Sequence, residues 1–197
     1  MEPAPHESPS EANGKTAPGR WWVAARVLLL ALALIGTAFG VRWLVEALGG
    51  PGALRDRFGW YAPIVSAALH APIAASPLPS EPFALSHGPL YGFWIGALVG
   101  WAGWFAGSAI EYAVLRRIRS TTLRGLTLSR PRWAARFPVQ HPAFLIGMRQ
   151  VPGGFDVVNV SAALAGVPLA RFLWCSAIAQ IPSALLVSAA GLGLVAL

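Results

Sequence analysis

The sequence predicts an all-α polytopic membrane protein. In this fold an N-terminal transmembrane helix precedes an inverted repeat of two re-entrant helical hairpins, each followed by a spanning helix. The chain is 55% hydrophobic and only 12% charged, with a mean hydropathy of +0.56, whereas soluble domains average about 25% charged residues. Two apolar segments, residues 60–87 and 142–168, are interrupted by prolines and charges. A stretch of spanning length follows each segment.

The N-terminal part divides into a polar tail and a first apolar helix. Residues 1–19 are rich in Pro, Ser, Glu and Gly, so they cannot bury a core and we expect them to be disordered. Residues 20–48 contain an apolar run long enough to span a bilayer, with tryptophans near both ends. A cleaved signal peptide is the alternative, but no small-residue cleavage site follows the run.

The first broken segment, residues 60–87, contains five prolines. Because proline removes a backbone donor and clashes with the preceding turn, this segment is not expected to span as a straight helix. Broken helix at membrane depth is tolerated only where protein or a water-filled cavity covers it. We therefore expect a re-entrant hairpin that turns around Pro79 and Pro82.

Residues 88–115 predict a continuous spanning helix in which glycine recurs at every fourth position. Small residues at this spacing let a second helix approach closely, which favours a packing face made of Gly88, Gly92, Gly96 and Gly100. The alternative is the general enrichment of glycine in transmembrane helices.

The loop charges predict the topology. Residues 116–141 contain seven arginines and no acid, so this basic loop is expected in the cytoplasm. Counting outward from it, the N-terminus is cytoplasmic and the hairpin of residues 60–87 dips from the outside. Residues 142–168 form a second hairpin that dips from the inside and turns around Pro152 and Gly153, and residues 169–197 span again. Hairpins entering from opposite faces make an inverted repeat.

Three charged residues fall within the broken segments, namely Glu81, Arg149 and Asp156. A charge at the bilayer centre costs about 2.5–3.5 kcal/mol on permissive insertion scales, so these side chains must pair or line a wet cavity. In an inverted repeat the two hairpin tips meet near the midplane, which would bring them together with Asn159 as a hydrogen-bonding neighbour. The alternative is a buried ion cluster that only pins the hairpins to each other.

The remaining ionisable residues are given structural roles. Glu111 precedes Arg116 and Arg117 by little more than one turn, which favours a charge pair at the membrane interface. His70 and His87 lie in the first broken segment and are interpreted as packed or interfacial histidines rather than as proton carriers.

Composition excludes several classes of function. Fourteen of the 15 basic residues are arginine, and half of these lie in the basic loop, which is typical of topology signals and lipid headgroup attraction rather than nucleic-acid binding. The lone Cys175 allows no disulfide and no CxxC metal site. No GxSxG, HExxH, P-loop or dinucleotide motif occurs, so we expect neither an enzyme nor a cofactor.

Beyond these patterns, two stretches resemble one family. "PLPSEPFALSHGPLYGFWIGALVGWAGWFAGSAIEYAVLRR" and "RQVPGGFDVVNVSAALAGVPLARF" look like the two signatures of the DedA-like, SNARE-associated Golgi protein family, also called the VTT-domain family. The resemblance covers about residues 60–195, a VTT-like membrane domain. Phe155 stands where the DedA branch has a second arginine, which resembles the VTT-type branch, and Ala163 replaces a family glycine.

The resemblance implies the same architecture and a role in moving phospholipids or polyprenyl phosphates across bilayers. It carries over Glu81 and Arg149 as the first candidates for transport residues, and Asp156 and Asn159 as the second. It further implies membrane lipids as partners, with protons as a candidate second partner, in a bacterial plasma membrane; a homo-oligomer stays open. The alternatives are a proton- or cation-coupled transporter of small solutes and a structural or assembly factor of the membrane.

Overall fold

The computed structural model describes residues 49–76, 78–121, 138–151 and 153–195, with scattered positions between 25 and 47. Those scattered positions are all helical. The predicted disordered tail, most of the basic loop and Pro152 lie outside the described residues. The helices are α1 (Gly50–Phe58), α2 (Ala62–Ala74), α3 (Glu81–Tyr91), α4 (Phe93–Thr121), α5 (Pro142–Gly147), α6 (Gly154–Ala165) and α7 (Leu169–Val195), with 3-10 turns at Gly59–Tyr61 and Met148–Gln150. The described part contains no strand, as the predicted all-α class requires.

Several of the prolines begin helices. Pro63, Pro82 and Pro142 each occupy one of the first two positions of a helix, where the missing N–H has no intrahelical partner to lose. Pro79 lies in the non-helical connection between α2 and α3. The predicted turn around Pro79 and Pro82 is therefore a short connection that ends where Pro82 starts α3.

The stretch predicted as one helix over residues 88–115 consists of two helices. Gly92 closes α3 with φ +80° and ψ 169°, a combination open essentially to glycine alone. The long helix α4 starts at Phe93 and runs on to Thr121, into what the sequence predicted as loop. The prediction failed because a glycine repeat does not distinguish a packing position from a backbone break.

The four glycines of the predicted packing face differ in what surrounds them. A Cβ at Gly88 would collide with the backbone carbonyl of Ser188 in α7, and one at Gly96 would lie 2.6 Å from the carbonyl oxygen of His87. Gly92 has open space around it, and Gly100 has only an ordinary contact at 3.8 Å. Close packing therefore involves Gly88 and Gly96 from this set.

The helices pack around α4, which contacts α2, α3, α6 and α7. One core cluster lies between the end of α4, α6 and α7 and includes Tyr112, Val158 and Phe172. A second, smaller cluster joins α2, α3, α4 and α7 around Trp104. The Tyr112 hydroxyl donates a hydrogen bond to the carbonyl of Val167, which fixes the start of α7 against α4.

The same order of elements occurs twice. Residues 62–121, the first unit, contain a short helix, a break, a helix with an acid in its first turn, a glycine at positive φ and a long helix. Residues 142–195, the second unit, repeat this order, with Asp156 in the first turn of α6 and Gly166 (φ +72°) at its end.

Within the part of the chain that the structure describes, two helices are long and apolar enough to cross a membrane, Phe93–Ser120 in α4 and Leu169–Gly193 in α7. Large apolar side chains point away from the protein on both of them. Trp94 is 74% exposed and Leu186 is 70% exposed. A soluble monomer seldom presents extensive apolar surface of this kind.

Candidate functional site

A cavity of about 490 Å³ lies where the break between α2 and α3 meets the break before α6. Ser76, Leu78, Pro79 and Ser80 line it from the first break, and Val151 and Gly153 line it from the second. Gly153 takes φ +74° and precedes α6. The polar side of the cavity consists of Ser80, Glu81, Arg149, Gln150, Asp156, Gln180 and Ser183.

Glu81 and Asp156 are the two carboxylates of the cavity. Each lies in the first turn of its helix, α3 or α6, where the helix dipole favours a negative charge. Both residues are exposed. Among the described residues neither side chain has a hydrogen bond or an ion pair, so both carboxylates are available to whatever enters.

Arg149 is 7% exposed and is held from three helices. Its Nη2 donates to Asn159 Oδ1 at 2.5 Å and to Ser176 Oγ at 2.9 Å, and its Nη1 approaches Ser108 Oγ at 3.4 Å. The rings of Phe155 and Phe172 lie 5.1 and 5.3 Å from its guanidinium carbon, within the range of cation–π attraction. The guanidinium is thereby fixed in position beside the cavity.

Asn159 connects Arg149 to a third carboxylate. Its Oδ1 accepts from Arg149, while its Nδ2 donates to Glu111 Oε2 at 2.6 Å. Because each amide end has a charged partner, Asn159 passes the influence of the Glu111 charge to the guanidinium without a direct ion pair. Hydrogen bonds with one charged partner are roughly twice as strong as neutral ones.

Further polar groups continue this network towards the first unit. Gln180 Nε2 donates to Ser108 Oγ at 2.8 Å. The Trp104 indole donates to Ser80 Oγ at 2.9 Å. Ser80, Trp104, Arg149 and Gln180 all line the cavity. The Gln180 amide also lies 3.4 Å from the backbone carbonyl oxygen of Trp104, which links the two groups of residues along the inner wall.

The four residues predicted as a transport site are distributed in two layers. Glu81, Arg149 and Asp156 line the same cavity, whereas Asn159 is fully buried behind Arg149. Of the two arrangements expected for these charges, ion pairing or lining a cavity, the described contacts show the second, because Arg149 pairs with neither Glu81 nor Asp156. Its polar partners are serine hydroxyls and an amide instead.

Glu111 corrects the sequence interpretation. It was expected to pair with Arg116 and Arg117 at the interface, but its carboxylate accepts from Asn159 in α6. Helical spacing could have indicated this, since Trp104, Ser108 and Glu111 share one face of α4. On α7, Ser176 and Gln180 follow the same spacing within an apolar helix.

Comparison with known proteins gives one match, to the VTT domain over residues 78–192, which is more than half of the chain. The chain belongs to the VTT domain family. No curated protein and no solved structure matches it. The matched range of this VTT domain begins in the first break and includes all three charged residues of the cavity. Together with the two apolar helices, the family indicates a membrane protein of the DedA type.

The cavity wall of the VTT domain thus combines one guanidinium with two carboxylates. An arginine has five N–H donors, and the described contacts of Arg149 use three of them. Of the other two, the Nε–H is buried without a partner among the described groups, and the second N–H of Nη1 remains for an oxygen ligand such as a phosphate. The exposed carboxylates of Glu81 and Asp156 suit an ammonium group or a proton. No group of three or more potential metal-ligating side chains occurs in the described part of the chain.

Proposed function

We propose that this VTT domain moves the polar headgroups of lipids, either phospholipids or polyprenyl phosphates, across a bilayer by way of the cavity. One observation carries the proposal. Two breaks in otherwise apolar helices meet at a cavity that contains Glu81, Arg149 and Asp156. Charged residues within membrane segments are costly and mark transport pathways, and broken helix is tolerated where it lines a cavity.

The chemistry of the wall suits a headgroup. A phosphate that leaves water needs replacement interactions, and Arg149 can supply its positive charge and the unused N–H of Nη1. The carboxylates of Glu81 and Asp156 can meet an ammonium group or take up a proton. The acyl chains would stay against the exposed apolar faces of α4 and α7, so only the polar part of the lipid needs the cavity.

The membrane arrangement is part of the proposal. We infer that α4 and α7 span the bilayer, while α2–α3 and α5–α6 form two re-entrant hairpins that enter from opposite faces. The repeated order of elements in the two units supports this arrangement. With the basic loop in the cytoplasm, the N-terminus is also cytoplasmic, and we place the protein in the plasma membrane.

A second function has its own support. Glu81 and Asp156 face the cavity without partners among the described residues, which also suits a proton- or cation-coupled transporter of a small solute. Such a transporter would accumulate a solute under an ion gradient and leave lipid distribution unchanged.

Reconstitution tests the lipid proposal. Purified protein is placed in liposomes that contain phospholipid with a fluorophore on one acyl chain, and a membrane-impermeant reductant is then added. Without transport, only the outer half of the fluorescence disappears. We expect the wild type to lose nearly all of it, and Glu81→Gln or Arg149→Ala to return the loss to half.

Matched controls come from α1. Asp56 and Arg57 are exposed and lie away from the cavity, so Asp56→Asn and Arg57→Ala should behave as wild type. Wild-type fluorescence that stops at half, for phospholipid and for a labelled polyprenyl phosphate alike, would refute lipid transfer and favour the solute transporter.

A further inference from the structure

Two histidines lie buried against each other in the first unit, apart from the cavity. His70 on α2 and His87 on α3 are both 0% exposed, and their ring centroids are 5.2 Å apart. None of their four ring nitrogens has a hydrogen-bond partner in the described part of the protein. A neutral imidazole has one donor and one acceptor, and burying these unpaired costs free energy. The pair is therefore poorly explained as packing alone.

Aromatic side chains pack directly against the two histidine rings. The rings of Phe83 and Trp104 lie 5.6 and 5.7 Å from His70, and Phe83 lies 5.1 Å from His87. On α4, Gly103 provides the space for the His70 ring, because a Cβ there would collide with it. Aromatic faces attract cations, so these walls accept a positive charge better than aliphatic ones would.

In the described part of the protein, no charged group on the helices around the pair has a hydrogen bond or an ion pair with either ring. On α1, Arg55 donates to the carbonyl oxygen of Leu90. On α3, Tyr91 follows one turn after His87, and Glu81 lies at the other end of the helix. On α4 the first charged residue is Glu111, and on α7 the titratable residues are Arg171 and Cys175, near its start. Neither ring therefore has a carboxylate partner among the described residues that would keep it permanently protonated.

We propose that His70 and His87 form a proton-binding site that holds one proton between the two imidazoles. A proton from water binds one ring nitrogen, and the resulting N–H donates to a nitrogen of the other ring after a small rotation. No other bond forms or breaks. Burial disfavours the charged form, whereas the second ring and the aromatic walls favour it. The site consequently loads when the adjoining compartment is acidic and empties when it is not.

Polar groups extend from the pair in two directions. One turn from each histidine, the hydroxyls of Ser66 and half-buried Tyr91 are 2.6 Å apart. On the other side, His70 contacts Trp104, whose indole bonds Ser80 at the cavity wall. The site thus lies between a partly accessible hydroxyl pair and the cavity. Because its two rings come from α2 and α3, a shared proton also draws these helices together.

Histidine NMR of the full-length wild type in lipid nanodiscs tests the binding site directly. The protein is labelled with ¹⁵N in its histidine rings and titrated from about pH 8 to about pH 3, well past the ordinary histidine pKa, because burial disfavours the charged form of these rings. We expect the signals of His70 and His87 to move together and to account for one proton. His141 is exposed and serves as the reference. Signals of His70 and His87 that stay neutral throughout, or that move independently of each other, would overturn the proposal.

Coupling to transport rests on the proposed function and is measured separately. Lipid exchange in liposomes is compared with and without an imposed pH gradient, in wild type, His70→Phe, His87→Phe and the control His141→Asn. We expect both phenylalanine variants to lose the gradient-stimulated part of the rate and to keep the rate without a gradient. Stimulation that survives in both variants would refute coupling. Absence of any wild-type exchange would refute lipid transfer, while the NMR result would still decide the proton site.

Discussion

The two units share one backbone plan and differ in how their buried polar groups are satisfied. In the second unit, Arg149 and Asn159 are buried within a connected hydrogen-bond network. In the first unit, His70 and His87 are buried at least as deeply, but their ring nitrogens have no partner among the described residues.

This difference teaches that repetition of a fold does not repeat its chemistry. The long helices show it most clearly, because α4 supplies Ser108 to Arg149 and Glu111 to Asn159 of the second unit. The corresponding helix α7 meets α3 through backbone contacts instead, where the Ser188 carbonyl lies against Gly88 and Gly191 lies against the Leu85 carbonyl. The buried, hydrogen-bonded charge of Arg149 thus belongs to the second unit. The two buried histidines without hydrogen bonds among the described residues belong to the first unit.

The largest expected effect comes from breaking the network of the second unit. Asn159→Leu removes the partner of both Arg149 and Glu111 and leaves two charges without their bridging amide. We expect a loss of about 3–5 kcal/mol in the free energy of unfolding, the usual cost of leaving a buried charge uncompensated. Denaturation in mixed micelles measures it. A loss no larger than that of an exposed polar substitution such as Gln140→Leu would show that the network contributes little.

A backbone contact of the second unit gives the next largest effect. A Cβ at Gly154 would collide with the carbonyl oxygen of Met148, so Gly154→Ala must displace the 3-10 turn that carries Arg149. We expect a loss of about 1–3 kcal/mol, as for other overpacked sites, together with slower lipid exchange. Gly147→Ala is the matched control, since no atom lies within 4 Å of its added Cβ. Equal effects of the two substitutions would contradict the steric argument.

The charge of Glu111 is expected to act on Arg149 through Asn159. Glu111→Gln keeps an oxygen that accepts a hydrogen bond from Asn159 and removes only the negative charge. The positive charge of Arg149 is then no longer offset by Glu111. A double-mutant cycle of Glu111→Gln with Arg149→Gln should give a coupling energy of about 0.5–3 kcal/mol.

The same variant separates electrostatics from structure. With Glu111→Gln, exchange of anionic lipid should change relative to zwitterionic lipid of the same acyl chains, because the site gains net positive charge and holds a headgroup of net negative charge more strongly. A uniform change for both lipids, with no coupling in the cycle, would assign Glu111 a purely structural role.

The sequence predicted the break around Pro79 and singled out Glu81, Arg149 and Asp156, which line the cavity, since prolines and charges within apolar runs have local physical costs. It did not predict the break at Gly92, because nothing local separates a glycine at positive φ from one that packs. The partner of Glu111 was also missed, because Asn159 lies 48 residues away. Partners at that distance depend on how α4 and α6 pack, which spacing along one helix does not determine.

The smallest expected effect lies in the first unit and completes the comparison. His87→Phe replaces a ring that has no hydrogen bond in the described structure by an apolar ring of similar shape, among Phe83, Tyr91 and His70. We expect the free energy of unfolding to change by less than about 1.5 kcal/mol, as for volume-conserving core substitutions, in contrast to Asn159→Leu. A loss as large as that of Asn159→Leu would mean that His87 has a strong polar partner, and the two units would then be alike in satisfying their buried groups.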